Sequence, residues 1–265
     1  MSTATIELNS EQIAFYRRHG FLSLSAITTS EKIARLRVIY DRLFATRAGR
    51  QDGNQFDLAG ADEDDDEAVL PQILDPVRYA PELADTIYRA NALSIARQLL
   101  GPEGDYTGEH AILKPPKMGA ETPWHQDEAY WDQDTEYNTL SIWLPLQEAN
   151  LENGCMTFIP GSHQKDVLPH HSINNDPRVH GLEIDRVYLD LARAVPCPLP
   201  AGGITIHHCR TVHYAGPNHT DEPRRAYILT FGVPAKKRDG TRNFYWQQNK
   251  QEKRMERANK RNMGA

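Results

Sequence analysis

"LSIWLPLQEANLENGCMTFIPGSH", residues 140–163, reads as two short strands joined by a turn. The runs "TLSIWLPLQEA" and "CMTFIPGSH" are parted by "ENG", and the second closes on the turn residues "PGSH". Outward from this stretch the same texture recurs from about residue 105, in "EHAILKP", "GITIHHC" and "RAYILTFGV", punctuated by "LPAGG" and "AGPN". Short strands with frequent turn signals predict a sandwich or jelly roll. No helix of the βαβ kind separates them, which argues against a Rossmann sheet.

The first hundred residues differ. Asn9 and Ser10 can cap a short helix that Gly20 ends. A capping box from Thr28 to Glu31 opens a second helix, in which Ile33, Leu36, Ile39, Leu43 and Phe44 fall near one face. A third is expected from about Pro81 to Leu100, stopped by Gly101 and Pro102. The chain therefore divides into a mostly helical part, 1–104, a β-rich core, 105–235, and a polar, basic tail, 236–265, read as a solvated helix. The acidic run 62–67 reads as a solvated loop, since consecutive like charges repel. Residues 164–201 are long, polar and proline-containing, and read as a lid over a site.

Composition narrows the function classes. The chain has 265 residues, a net charge of −6 and 25% charged residues, with a pI near 6.0. A nucleic-acid binder would be broadly basic, so none is expected as a partner. No apolar run is long enough to span a bilayer, and the start lacks the pattern of a signal peptide. Cys155, Cys197 and Cys209 are odd in number and show no CxxC spacing. They read as buried small hydrophobes in a reducing, cytoplasmic setting. Oligomeric state is not legible.

The chemistry concentrates in "TPWHQDEAYW", residues 122–131. In a strand, side chains at i and i+2 share a face, so His125 and Asp127 project together and Gln126 turns away. One imidazole and one carboxylate are two thirds of the 2-His-1-carboxylate triad that holds Fe(II) and leaves three positions open. With 11 histidines and 36 acids, roughly one or two His-x-acid pairs arise by chance. His219-Thr220-Asp221 is the other one, but it lies in a turn-rich segment, whereas aromatic residues flank His125. The third ligand must come from a distant strand, and His207, His208, His213 and His219 all qualify. Alternation puts Ile204, Ile206 and His208 on one face, with Thr205, His207 and Cys209 on the other; it does not choose among the histidines.

Taken together and in order, four segments resemble the phytanoyl-CoA dioxygenase family of Fe(II)/2-oxoglutarate oxygenases. They are "SEQIAFYRRHGFLSL", "LKPPKMGAETPWHQDEAYW", "LSIWLPLQEANLENGCMTFIPGSH" and "VHYAGPNHTDEPRRAYILTF". The resemblance covers most of the chain. It implies a double-stranded β-helix, a cupin-like jelly roll with flanking helices. It assigns the third ligand to His213 and the far carboxylate of 2-oxoglutarate to Arg224, with Arg225 the rival on the opposite face. It also places Trp143 beside the cosubstrate. His163 matches a turn motif. Lys114 could approach the same cavity but reads rather as solvated before a turn, and His170, His171 and His180 read as bland lid residues; His110 and His19 have nothing that marks them out.

The expected activity is hydroxylation of a small molecule, with desaturation or cyclisation within reach of the same chemistry, consuming O2 and 2-oxoglutarate and releasing succinate and CO2. Because Asp127 occupies the carboxylate position, no vacancy is left for a halide. Two other classes fit the same residues: a cupin-like isomerase or hydrolase that uses another metal without 2-oxoglutarate, and a silent binding module of oxygenase ancestry. Cosubstrate-dependent succinate release separates them.

Overall fold

The computed structural model describes residues 6–63, 67–117 and 120–263. Helix α1 (Ser10–His19) is opened by an Asn9 capping box and closed by Gly20 in the left-handed region. Gly20 is required twice over: its φ is +80°, and a Cβ there would strike the His163 ring and the Thr211 hydroxyl. Helix α2 (Ser30–Ala45) begins one residue later than the sequence suggests, because Thr29, not Thr28, accepts the Lys32 N–H. It buries Ile33, Leu36, Ile39, Tyr40 and Leu43, the stripe expected of an amphipathic helix. Helix α3 (Ile87–Leu100) is shorter than the expected span. Thr86 caps it, and Pro81–Leu83 forms a separate 3-10 turn.

The strands are β1 (Phe21–Leu24), β2 (Gln55–Asp57), β3 (Pro71–Leu74), β4 (Asp105–Lys114), β5 (Thr122–His125), β6 (Thr135–Glu136), β7 (Thr139–Pro145), β8 (Met156–Phe158), β9 (His171–Ser172) and β10 (Leu182–Glu183). They continue with β11 (Val195–Cys197), β12 (Ile204–His208), β13 (His213–Ala215), β14 (Arg224–Gly232) and β15 (Lys236–Lys237); helix α4 (Lys253–Met263) closes the described chain. Seven strands form one sheet in the order β1-β12-β7-β14-β4-β3-β2, and four form a second, β11-β8-β13-β5. Both are antiparallel throughout. This is the jelly-roll arrangement that the strand texture predicted, with no βαβ crossover.

Alternation along β14 organises the interior. Tyr227, Leu229 and Phe231 join the core beneath α2 and α3, with Ile39, Tyr40, Tyr88 and Ile95. Ala226 and Ile228 turn the other way, into a second core between the sheets with Trp143, Met156 and Phe158. The cavity opens beside that second core.

Two segments expected to be solvated, the tail and the acidic run, are corrected. The C-terminal helix is not a free solvated element: the Arg254 guanidinium lies over the Phe56 ring at 4.5 Å, its Nε donates to Gly53 O, and Arg257 pairs with Asp62. Asp62, the first residue of the acidic run, is buried, pairs with Arg50 and accepts the Asp57 N–H. Its acidity is neutralised by two arginines rather than dispersed in water. Asp64–Asp66 lie outside the described residues. All three cysteines are free and buried, as their spacing suggested.

Candidate active site

His125 ends β5 and His213 begins β13, and the two are register partners in the smaller sheet. Each ring is fixed through Nδ1, which donates to the carbonyl two residues earlier: His125 to Pro123 O at 2.7 Å, His213 to Thr211 O at 2.8 Å. Those bonds select the tautomer and direct both Nε2 lone pairs into the cavity. The strand stops at His125, and Asp127 is the first residue of a 3-10 turn, Asp127–Tyr130. Gln126 keeps an extended backbone (φ −127°, ψ 133°), so the i, i+2 alternation survives past the strand's end. As expected, Gln126 turns away: its amide donates to Arg210 O and accepts from Leu168 N, while its backbone N–H donates to His170 Nε2.

Asp127 Oδ1 stands 3.4 Å from His213 Nε2 and 3.8 Å from His125 Nε2. One ligand atom from each of the three lies within 4.8 Å of the others, a group able to hold a metal ion. Burial lowers the pKa of both imidazoles, keeping them neutral and available as donors. Burial alone would raise the Asp127 carboxyl, but the histidines around it, His213 foremost, hold it well below the usual range. Two neutral nitrogens and one carboxylate suit divalent iron.

The cavity beside the triad measures about 1060 Å³ and is lined by Trp143, Met156, His207 and Arg224, among others. Arg224 is 2% exposed, yet its Nε and Nη1 have no hydrogen-bond partner among the described residues. Its guanidinium carbon sits 5.4 Å from the centre of the Trp143 ring, and burial lowers its pKa to about 9. A buried cation with unmet donors is costly unless an anion joins it. Arg225 faces the helices instead: Nε donates to Asp41 at 2.6 Å and Nη1 to Pro223 O.

Several histidines are now placed. His208 lies on the face away from the cavity, accepts the Arg210 N–H and neighbours His163. His219 donates its backbone N–H to Glu152 O, outside the cavity. His110, which the sequence left unmarked, lines the cavity wall, and burial lowers its pKa to about 4. It is the register partner of Ile228 on β14, a relation visible only once strand pairing is known. Lys114 is corrected. It is 1% exposed, not solvated, and donates to Ala120 O and Ala215 O beside its register partner Arg224. Burial, with Arg224 adding to it, pushes its amine well below the ordinary range.

His180 is a further correction. It lines the cavity, stacks on Tyr130 at 5.3 Å and bonds Glu252 through Nδ1 at 2.9 Å. Other residues of 164–201 bond to β5 and the turn after it, with Leu182 N donating to Tyr130 Oη and Ile184 N to Trp124 O. Tyr130 and Trp131 line the cavity, whereas Trp124 stacks on Tyr214.

The sequence profile of the phytanoyl-CoA dioxygenase family matches residues 16–226. The chain belongs to that family. Among solved relatives, EvdO2 from Micromonospora carbonacea var. aurantiaca, crystallised with 2-oxoglutarate, is 39% identical, with a TM-score of 0.78 over 92% of this chain and 99% of that one. The epimerase SnoN from nogalamycin biosynthesis, solved with Fe3+, α-ketoglutarate and nogalamycin RO, is 25% identical, with a TM-score of 0.65 over 86% of this chain and 85% of its own. A probable α-ketoglutarate-dependent hypophosphite dioxygenase of Stutzerimonas stutzeri is 24% identical over 84% of this chain and 78% of its own. This family member is therefore an Fe(II)/2-oxoglutarate-dependent dioxygenase. Among the described residues, no helix is long and apolar enough to cross a membrane.

Proposed function

We propose that the enzyme hydroxylates a C–H bond of a small molecule, with His125, Asp127 and His213 holding Fe(II) and Arg224 holding the far carboxylate of 2-oxoglutarate. The observation that carries this reading is the buried Arg224 guanidinium, whose Nε and Nη1 have no partner among the described residues, in the same cavity as the three ligand atoms. A planar fork with unmet N–H donors is the natural receptor for a carboxylate, and neither a metal-only cupin nor a silent module needs one there. When bound, iron and 2-oxoglutarate supply the oxidising power: O2 is split between succinate and the substrate hydroxyl, and CO2 leaves. The protein supplies orientation and a dry wall. Trp143 backs the guanidinium, and the sheet-to-sheet core excludes water from the deep end of the cavity.

The outer cavity argues about the substrate. Asp75, Glu103, Asp105 and Asp132 line it together with Tyr106, Trp131 and Tyr137; Arg97 pairs with Asp105 at 3.8 Å and Arg89 lies over the Tyr106 ring at 4.5 Å, so the acids outnumber the arginines beside them. Such a mouth repels polyanions, so the substrate is neutral or cationic and not an acyl-CoA, despite the family's name. The test is a screen of neutral, cationic and anionic small molecules for stimulated succinate release, with products weighed for one added oxygen. A phosphorylated thioester as best substrate would overturn the polarity argument. A product lacking two hydrogens, with no oxygen gained, would overturn hydroxylation.

A further inference from the structure

Asp127 has two carboxylate oxygens, and the fold treats them differently. Oδ1 faces the two Nε2 atoms. Oδ2 accepts from Ser141 Oγ at 2.8 Å and from His207 Nε2 at 3.2 Å. Ser141 and His207 are register partners on β7 and β12, and both are nearly fully buried. The bond assigns the Nε2–H tautomer to His207, which leaves Nδ1 with a bare lone pair. That Nδ1 is buried and has no partner among the described residues. A buried ring nitrogen without a partner costs stability, so a phenylalanine at this position would serve the core better. The His207 ring already lies among aromatic neighbours, 5.4 Å from Phe158.

We propose that His207 and Ser141 are positioning residues, which hold Asp127 Oδ2 so that Asp127 presents a metal with Oδ1 alone. This rests on the reading of His125, Asp127 and His213 as the ligand set. The reason lies in counting. With His125, Asp127 and His213 each giving one atom, Fe(II) would keep three positions open, and 2-oxoglutarate with O2 would need all three. A carboxylate free to turn and chelate through both oxygens would take one of those. Two donors on Oδ2 remove that freedom, and their own placement on adjacent strands of the larger sheet makes the clamp rigid.

The test needs no substrate. Fe(II) is titrated anaerobically into wild type and into Ser141→Ala, His207→Phe and His207→Gln, with and without 2-oxoglutarate. The visible charge-transfer band of the ternary complex and the melting temperature of the metal-free protein are read in parallel. His207→Phe is expected to weaken Fe(II) binding about 10- to 100-fold and to weaken the 2-oxoglutarate band further, while metal-free melting stays level or rises. His207→Gln, which keeps an N–H donor in reach, is expected to recover most of the loss; Ser141→Ala shifts in the same direction by less. Wild-type Fe(II) and 2-oxoglutarate binding in His207→Phe overturns the proposal. So does a lowered metal-free melting temperature, which would make the role structural, and so does a His207→Gln variant as impaired as His207→Phe. Asp127→Ala and His213→Ala serve as controls. If they bind Fe(II) like wild type, the ligand set itself is wrong; if they lose it while His207→Phe does not, only the clamp fails.

Discussion

Among the described residues, Arg224 Nε and Nη1 find no partner inside the cavity, while Arg225, one residue on, is bound to Asp41 among the helices. Strand alternation produces the division, and it makes a sharp contrast in mutants. Arg224→Ala should raise the apparent KM for 2-oxoglutarate by roughly 30- to several thousand-fold, the equivalent of about 2–5 kcal/mol for a lost buried charge contact, with Fe(II) binding largely kept. Arg225→Ala should leave that KM near wild type. The reverse pattern, read from initial rates of succinate formation, would reassign the role. The proposed metal ligands invite a similar comparison: His125→Ala, Asp127→Ala and His213→Ala should each abolish turnover, whereas His208→Ala and His219→Ala should retain it. Iron lost from His208→Ala but kept by His213→Ala, measured on the purified proteins, would break the assignment.

At the scale of elements, the C-terminal segment carries more than its polar sequence suggests. Arg242 Nη1 bonds Glu128 at 2.7 Å, Trp246 Nε1 and Gln247 Nε2 both donate to Ala129 O, and Glu252 holds His180. These residues lie beyond the matched span 16–226, yet they strap the turn that bears Asp127. Sequence reading missed the strap because its contacts join partners more than 70 residues apart, and periodicity reports only on neighbours within one element. Glu252 exposes the strap to acid. Burial would raise its carboxyl, but His180, Lys250 and Arg254 bring it from the ordinary 4.5 down to about 2. A depressed carboxyl contributes stability that is complete above its unfolded pKa and drains away as pH falls through the folded one. Glu252→Gln should therefore cost about 1–3 kcal/mol at neutral pH, and its gap to wild type should close as pH drops from about 4.5 toward 2. Urea unfolding at stepped pH reads this directly, and a gap that stays constant across that range would exclude the ion-pair account.

Across the whole molecule, what the sequence disclosed follows the range of each interaction. The jelly roll was legible because short strands and turn residues are local signals, and His125 with Asp127 because alternation acts over two residues. Ile206 and His208 against Thr205 and His207 also divide as counted. What periodicity could not supply was which distant histidine joins them; the family resemblance named His213, and the register of β13 on β5 brings it there. Lys114, His110 and His180 were misjudged for one common reason. Each reaches the cavity or its rear wall through strand pairing or packing with residues far along the chain, and a lysine before "PP" or a histidine in a polar loop looks solvated until that packing is known.

The most direct measurement is anaerobic addition of Fe(II) and then 2-oxoglutarate, followed by the visible charge-transfer absorption that arises when the keto acid chelates iron. The account predicts a saturable band in wild type, no band in His213→Ala, and in Arg224→Ala the same band reached only at much higher 2-oxoglutarate. A band that saturates at the same 2-oxoglutarate concentration in wild type and Arg224→Ala, or that persists in His213→Ala, would contradict it.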